Sequence, residues 1–432
     1  MEYDLIIHNG LIITGNEEFD IIENGIICIK NTIIQKIGQK KDNIKLPYSA
    51  QVIDANQGLI IPGLVNTHTH LPMSLFRGLA DDLPLMTWLN KYIFPAEASQ
   101  INPESVNQGS ILSCAELLLS GTTTCCDGYF YENYVAEAVY STGLRAVLGQ
   151  GIIDFPAPGV PDPEKNISYA LAFIEKWQKR YNRIKASVFC HSPYTCSKNT
   201  LIKAKEMANQ FGVLFQIHTA ETKTEHDTIL SEHNLSPVKY LHKLGLLDSN
   251  TLLVHCVWTD KEDIQIIADT HAKISTAVES NMKLASGIAP VPDFLKNGIV
   301  TGVGTDSCAS NNDLDMFSEM DTLGKIHKLA GSDPVLMDAK LIFKMATLGG
   351  AEAIGLKDEI GSLESGKKAD IVIIDMNKPH LVPVYDPVSH IIYNVKGSDV
   401  NNVIIDGKII VKNRQVQTID IKKFYTAPYF SR

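Results

Sequence analysis

Residues 59–70 read LIIPGLVNTHTH: an apolar, β-rich run that ends in a His-x-His pair. In a doubly wound open sheet, a glycine-rich phosphate loop is favoured after the first strand. Here two imidazoles stand in its place. Working outward, similar apolar runs recur near 122–129 (TTTCCDGY), 145–153 (RAVLGQGII), 184–191 (IKASVFCH), 213–218 (VLFQIH), 251–256 (TLLVHC), 272–278 (AKISTAV) and 298–306 (GIVTGVGTD). Stretches of helical texture separate them, such as SVNQGSILSCAELLLSG, ENYVAEAVYSTG and NTLIKAKEMANQFG, several closed by a glycine as helix ends often are. Eight strands alternating with helices over about 300 residues predict a closed (β/α)8 TIM barrel.

The two ends of the chain have a different texture. YDLIIHNGLIIT, GIICIKNTIIQKIG and QVIDANQGLIIP are short Ile/Val-rich segments broken by Asn and Gly. Segments of the same kind return in ADIVIIDM and VNNVIIDGKIIVKNRQV, the latter with an Asp406-Gly407 hairpin signal. The expected organisation is a small β-sandwich domain built from both termini, residues 1–60 plus 365–432, around a barrel over 61–364.

Composition narrows the function. The 432 residues are 44% hydrophobic and 20% charged, which suits a globular chain with a sizeable core. A net charge of −10 without a Lys/Arg-rich run argues against nucleic acid as a partner. No apolar stretch reaches the roughly 18 residues of a membrane span. The N-terminus lacks a basic then apolar leader, and eight cysteines in a chain of this length fit reduced thiols, so a cytoplasmic location is expected. The Cys125-Cys126 pair has no CxxC partner and reads as core. Assembly into a homo-oligomer stays open.

The polar residues at the predicted strand ends carry the chemistry. His68 and His70 follow the first strand, His191 ends the fourth, His218 the fifth, His255 the sixth and Asp306 the eighth. In a barrel the C-terminal strand ends converge on one mouth. His68 and His70 are two apart on an extended segment and point to one side. With His218 and Asp306 they make an N3O set for one divalent ion, zinc first, with ferrous iron, nickel or manganese as alternatives. Such an ion lowers the pKa of a bound water toward about 7. Glu221, three residues after His218, is the candidate proton shuttle, and His255 the candidate for orienting the attacking water. The motifs HExxH and GxSxG are absent, which removes thermolysin-like proteases and serine hydrolases. The H-x-E…P-C-x-x-C pattern of small zinc deaminases is absent too.

Six segments together resemble the amidohydrolase superfamily: PGLVNTHTHLPMSLFRGLADDLPLMTWL, CHSPYTCS, IHTAET, VHCVW, NGIVTGVGTDSCASNNDLDMF and SLESGKKADIVIID. The nearest branch is the 5′-methylthioadenosine/S-adenosylhomocysteine deaminases, close to the triazine hydrolases. The resemblance implies that His68, His70, His218 and Asp306 hold one metal ion. It also implies that Glu221 passes a proton to the purine N1, His255 holds the water and Asp306 takes the water's proton. Trp88 matches a position beside the 5′ substituent, Glu97 the carboxylate that accepts both ribose hydroxyls, and His191 a ribose or ring contact. Gln150 stands where relatives that take S-adenosylhomocysteine well carry a carboxylate-binding arginine. The loop DFPAPGVPDPEKN lacks the second arginine. A carboxylate is best held by a bidentate guanidinium, so the resemblance implies a small-molecule nucleoside substrate with an apolar 5′ group, 5′-methylthioadenosine foremost. S-adenosylhomocysteine, adenosine and 5′-deoxyadenosine are further candidates. The alternative is a related hydrolase acting on another ring, a guanine-like base or a triazine. One departure falls in STAVESNMKL, where Thr276 and Val278 replace a His and a Pro common in relatives.

Overall fold

The computed structural model describes residues 2–40 and 46–424. Eight parallel strands close into a barrel in chain order: β6 (Leu64–Thr69), β7 (Thr122–Tyr129), β8 (Arg145–Ile152), β9 (Ile184–Cys190), β10 (Leu214–Thr219), β11 (Thr251–His255), β12 (Lys273–Thr276) and β13 (Thr301–Val303). β13 pairs back onto β6 through Val303 and Asn66, which removes any open edge. These strands are almost wholly buried, which is why they read as continuous apolar runs and not as alternating ones.

The terminal segments form a nine-stranded sheet. Its members are β1 (Tyr3–Ile13), β2 (Ile21–Lys30), β3 (Ile33–Gln39), β4 (Ser49–Asp54), β5 (Leu59–Pro62), β14 (Ile371–Ile374), β15 (Val400–Ile405), β16 (Lys408–Lys412) and β17 (Gln415–Val416). The path runs β17-β16-β15-β14-β5-β1-β2-β3, with β4 paired to β1. The seam between the two halves of the chain is β5 against β14, antiparallel, with Leu59 opposite Ile374. The Asp406-Gly407 signal marks the β15–β16 hairpin. Both residues have positive φ, 50° and 72°, as the favoured two-residue hairpin turn demands.

Three runs differ from the sequence reading, one of them because 298–306 keeps only Thr301–Val303 as strand and leaves Asp306 beyond its end. The run near 60–67 is not one strand: β5 belongs to the terminal sheet and β6 to the barrel, with Gly63 between them. A Cβ at Gly63 would lie 1.9 Å from Thr123 Oγ1, so only glycine lets the chain cross there. The run at 272–278 stops as a strand at Thr276, because Val278 already starts the helix Val278–Lys283.

A buried ion cluster joins the barrel to the sheet. Arg145, at the start of β8, donates to Asp370 Oδ2 (2.8 Å) and Oδ1 (3.0 Å) and to Asp406 Oδ1 (2.5 Å). Its side chain is 2% exposed. Removing one partner of such a group leaves uncompensated charge in the interior, which costs about 3–5 kcal/mol. Arg145→Ala should therefore lower the stability to denaturant by about that amount, measured by urea unfolding. A loss under about 1 kcal/mol, the size of an exposed pair, would contradict this assignment. Among the described residues, no helix is long and apolar enough to cross a membrane.

Candidate active site

The strand ends do meet. His68 lies in β6 and His70 follows it. His218 lies in β10, and His255 ends β11. Asp306 follows β13 and bridges to Thr69. His68 Nε2 is 3.1 Å from His218 Nε2 and 3.5 Å from Asp306 Oδ1, and His70 Nε2 is 3.3 Å from the same oxygen. His68, His70 and Asp306 thus gather around one point, and His68, His218 and His255 form an overlapping group.

The surroundings turn these donor atoms inward. His70 Nδ1 is 2.6 Å from the Gly128 carbonyl oxygen, so that nitrogen donates and Nε2 keeps its lone pair for the site. Asp306 Oδ2 accepts from Ser280 Oγ (2.6 Å) and Ser310 Oγ (2.9 Å), which leaves Oδ1 facing the imidazoles. Burial lowers the His68 pKa to about 4 and holds His218 well below the usual range, so both are neutral, as ligands must be. Burial pushes the Asp306 carboxyl up, but the His68 hydrogen bond and the neighbouring imidazoles outweigh it and hold it well below the carboxylate range. Three inward ring nitrogens and one carboxylate oxygen fit a first-row divalent cation by donor chemistry.

Two further groups flank this point. His255 Nδ1 donates to Asn281 Oδ1 (3.0 Å), which presents Nε2 to the site, 3.9 Å from Glu221 Oε2. His255 has a φ of 75° and Asp306 one of 59°. Backbone in that region is uncommon outside glycine and tends to sit at functional sites. Burial, reinforced by the Asp306 charge, pushes the Glu221 carboxyl up to about 8, so it holds a proton in the neutral range.

A cavity of about 390 Å³ opens above these residues, and His70, His218, Glu221, His255 and Asp306 line it. Trp88, Glu97 and His191 line the same cavity. Trp88 donates its indole N–H to the Leu79 carbonyl (3.2 Å). Glu97 is 6% exposed and accepts a short hydrogen bond from the Tyr129 hydroxyl. Burial pushes its carboxyl up to about 7 against the lowering effect of that bond. His191 Nδ1 sits 2.9 Å from Thr195 Oγ1. Gln150 does not line the cavity. Its side-chain oxygen accepts from the Glu132 backbone N–H (3.2 Å), behind the wall. Much of the remaining lining is apolar, with Leu89, Phe94, Phe130, Phe155, Pro156 and Pro158, and no lysine or arginine lies among the described lining residues.

Sequence reasoning missed Tyr129, Asn281, Ser280 and Ser310. The available signal was position: Tyr129 ends a barrel strand, and the Ser280-Asn281 pair follows one closely, where mouth residues are expected.

The Amidohydrolase family profile matches residues 59–410. A 5-methylthioadenosine/S-adenosylhomocysteine deaminase 1 of Syntrophus aciditrophicus is 42% identical over 417 residues, covering 96% of this chain and 94% of that protein. A 5'-deoxyadenosine deaminase of Methanosarcina acetivorans is 41% identical, covering 97% and 95%. Among solved structures, an adenosine deaminase from Xanthomonas campestris with bound zinc superposes with a TM-score of 0.95 at 33% identity, covering 98% of this chain and 96% of that one.

Proposed function

The chain belongs to the amidohydrolase family, and from that premise we propose that it hydrolytically deaminates the 6-amino group of a 5′-modified adenosine. The preferred substrate is 5′-methylthioadenosine, and the products are 5′-methylthioinosine and ammonia. The supporting observation is one cavity lined both by members of a cation-binding donor set and by apolar side chains, with no lysine or arginine among its described lining residues.

His68, His70, His218 and Asp306 would hold a single divalent ion, zinc in this proposal. When bound, such an ion acidifies and polarises water, so that hydroxide is available at neutral pH. His255, its tautomer set by Asn281, accepts a hydrogen bond from the attacking water and aims it at purine C6. Asp306 takes a proton from that water. Glu221, protonated in the resting site, donates to N1 as C6 becomes tetrahedral. The proton held by Asp306 passes to the amine, which leaves as ammonia, and the C6 hydroxyl returns its proton to Glu221 as the carbonyl forms. Glu97 accepts from the two ribose hydroxyls, with Tyr129 holding it in place. Trp88 and the aromatic side chains of the cavity pack on the 5′ group, and His191 faces the ribose or ring. The eight buried, unpaired cysteines fit the reducing cytoplasm that we assign as its compartment.

Specificity is the test. A hydrogen bond to a charged group is worth about 1.5–3 kcal/mol. Without a lysine or arginine among the described lining residues, S-adenosylhomocysteine should fall about 10–100-fold below 5′-methylthioadenosine in kcat/KM. 5′-Deoxyadenosine should lie near the latter. A panel of adenosines varied only at the 5′ position, read by ammonia release, ranks them. S-adenosylhomocysteine at or above 5′-methylthioadenosine would reject the preference. Ammonia from guanine or an aminotriazine, with none from any adenosine, would reject the nucleoside reading.

A further inference from the structure

We propose that Glu225 is a positioning residue for the deamination, its carboxylate holding the backbone turn that aims Glu221 into the cavity. The inference rests on the reading of Glu221 as proton carrier. Glu225 is 4% exposed. One of its oxygens accepts from the Ala220 N–H and the other from the Glu221 N–H, each at 2.8 Å.

The turn needs such a clamp. It links the end of β10 to the helix Lys223–His233. Ala220 within it has a φ of 52°, a left-handed conformation that a residue with a Cβ adopts at a cost of about 1–2 kcal/mol. Thr222 caps the helix by accepting from the Glu225 N–H at 3.2 Å. In an ordinary capping box the side chain at Glu225's position would reach back to the cap residue's own N–H. Here it passes over Thr222 and takes the two N–H groups before it. A carboxylate, acceptor-only with two oxygens, suits two convergent donors. On its other side the turn is tied to the strand end that carries His255: Cys256 N–H donates to the Thr219 carbonyl (3.0 Å) and Trp258 N–H to the Ala220 carbonyl (2.8 Å). The clamp thus fixes Glu221 relative to His255.

A Glu225→Gln side chain has one acceptor oxygen, and its amide N–H₂ would face a second N–H. The turn should relax while the cavity stays. A displacement of about 1 Å at a reacting group can cost about 10²-fold. In the full-length metal-loaded protein we expect kcat for 5′-methylthioadenosine to fall about that far, with KM and metal content little changed. The deciding measurement repeats the change in a Glu221→Gln background. If Glu225 acts through Glu221, the second substitution costs no more than about twofold there. A purely structural role predicts the same loss in both backgrounds, and that result, or no loss in the first, would overturn the proposal. Glu225→Asp, with both oxygens drawn back by one methylene, carries the same non-additive expectation should the Gln variant be insoluble. If both variants fail to fold, Glu225 is a scaffold residue and the proposal fails. An unsubstituted protein that releases no ammonia from 5′-methylthioadenosine would instead reject the function itself.

Discussion

Glu221→Gln will keep the metal and lose turnover, by about 10²–10⁴-fold in kcat. The substitution is nearly isosteric, and the backbone of Glu221 stays bound to Glu225, so the cavity is preserved. What disappears is a transferable proton. Burial and the Asp306 charge hold that carboxyl up to about 8, whereas an amide has no proton to release in this range. Ammonia release and metal analysis on the same preparation separate the two effects. One metal per chain with a collapsed kcat is the expected pair of results. A kcat within about threefold of the parent would remove Glu221 from the proton path.

Asp306→Asn should cost more still, beyond the roughly 10⁴-fold that a single acid–base group supplies, because one side chain carries two duties. Its Oδ1 is the sole carboxylate oxygen facing His68 and His70 in the described cluster, at 3.5 and 3.3 Å. In the proposed reaction it also receives the water's proton. The fold should tolerate the change, since the Ser280 and Ser310 hydroxyls that donate to Oδ2 can turn to accept from an amide. The expected outcome is a soluble protein of reduced metal content, inactive even with added zinc. Full metal content and a rate within about tenfold of the parent would mean that Asp306 has neither duty.

The barrel was legible because parallel strands buried on both faces leave unbroken apolar runs, and because polar residues recurred where those runs stop. His68, His218, His255 and Asp306 announce themselves in that way even though nearly 240 positions separate the first from the last. The split at Gly63 was not legible. Pro62 and Gly63 interrupt an otherwise continuous run, and it is the strand pairing, β5 with β14 and β6 with β7, that shows the chain changing sheets there. Gln150 misled for a related reason. Its place on a barrel strand is plain from sequence, but whether its side chain faces the cavity or the Glu132 backbone is set by packing. Asn281, Tyr129 and Glu225 act on other side chains or on backbone, so their positions beside strand ends or at a helix start mark a place but not a role. Their roles become visible as hydrogen-bond partners.

The β5–β14 seam also bears on synthesis. Leu59 cannot meet Ile374 until the ribosome has added about 300 more residues, which at about 5–20 residues per second takes roughly 15–60 s. Throughout that interval the nascent N-terminal strands present an unsatisfied edge, and such edges invite aggregation. Chaperone demand during translation should therefore fall in a circular permutant that makes the last strands before the first.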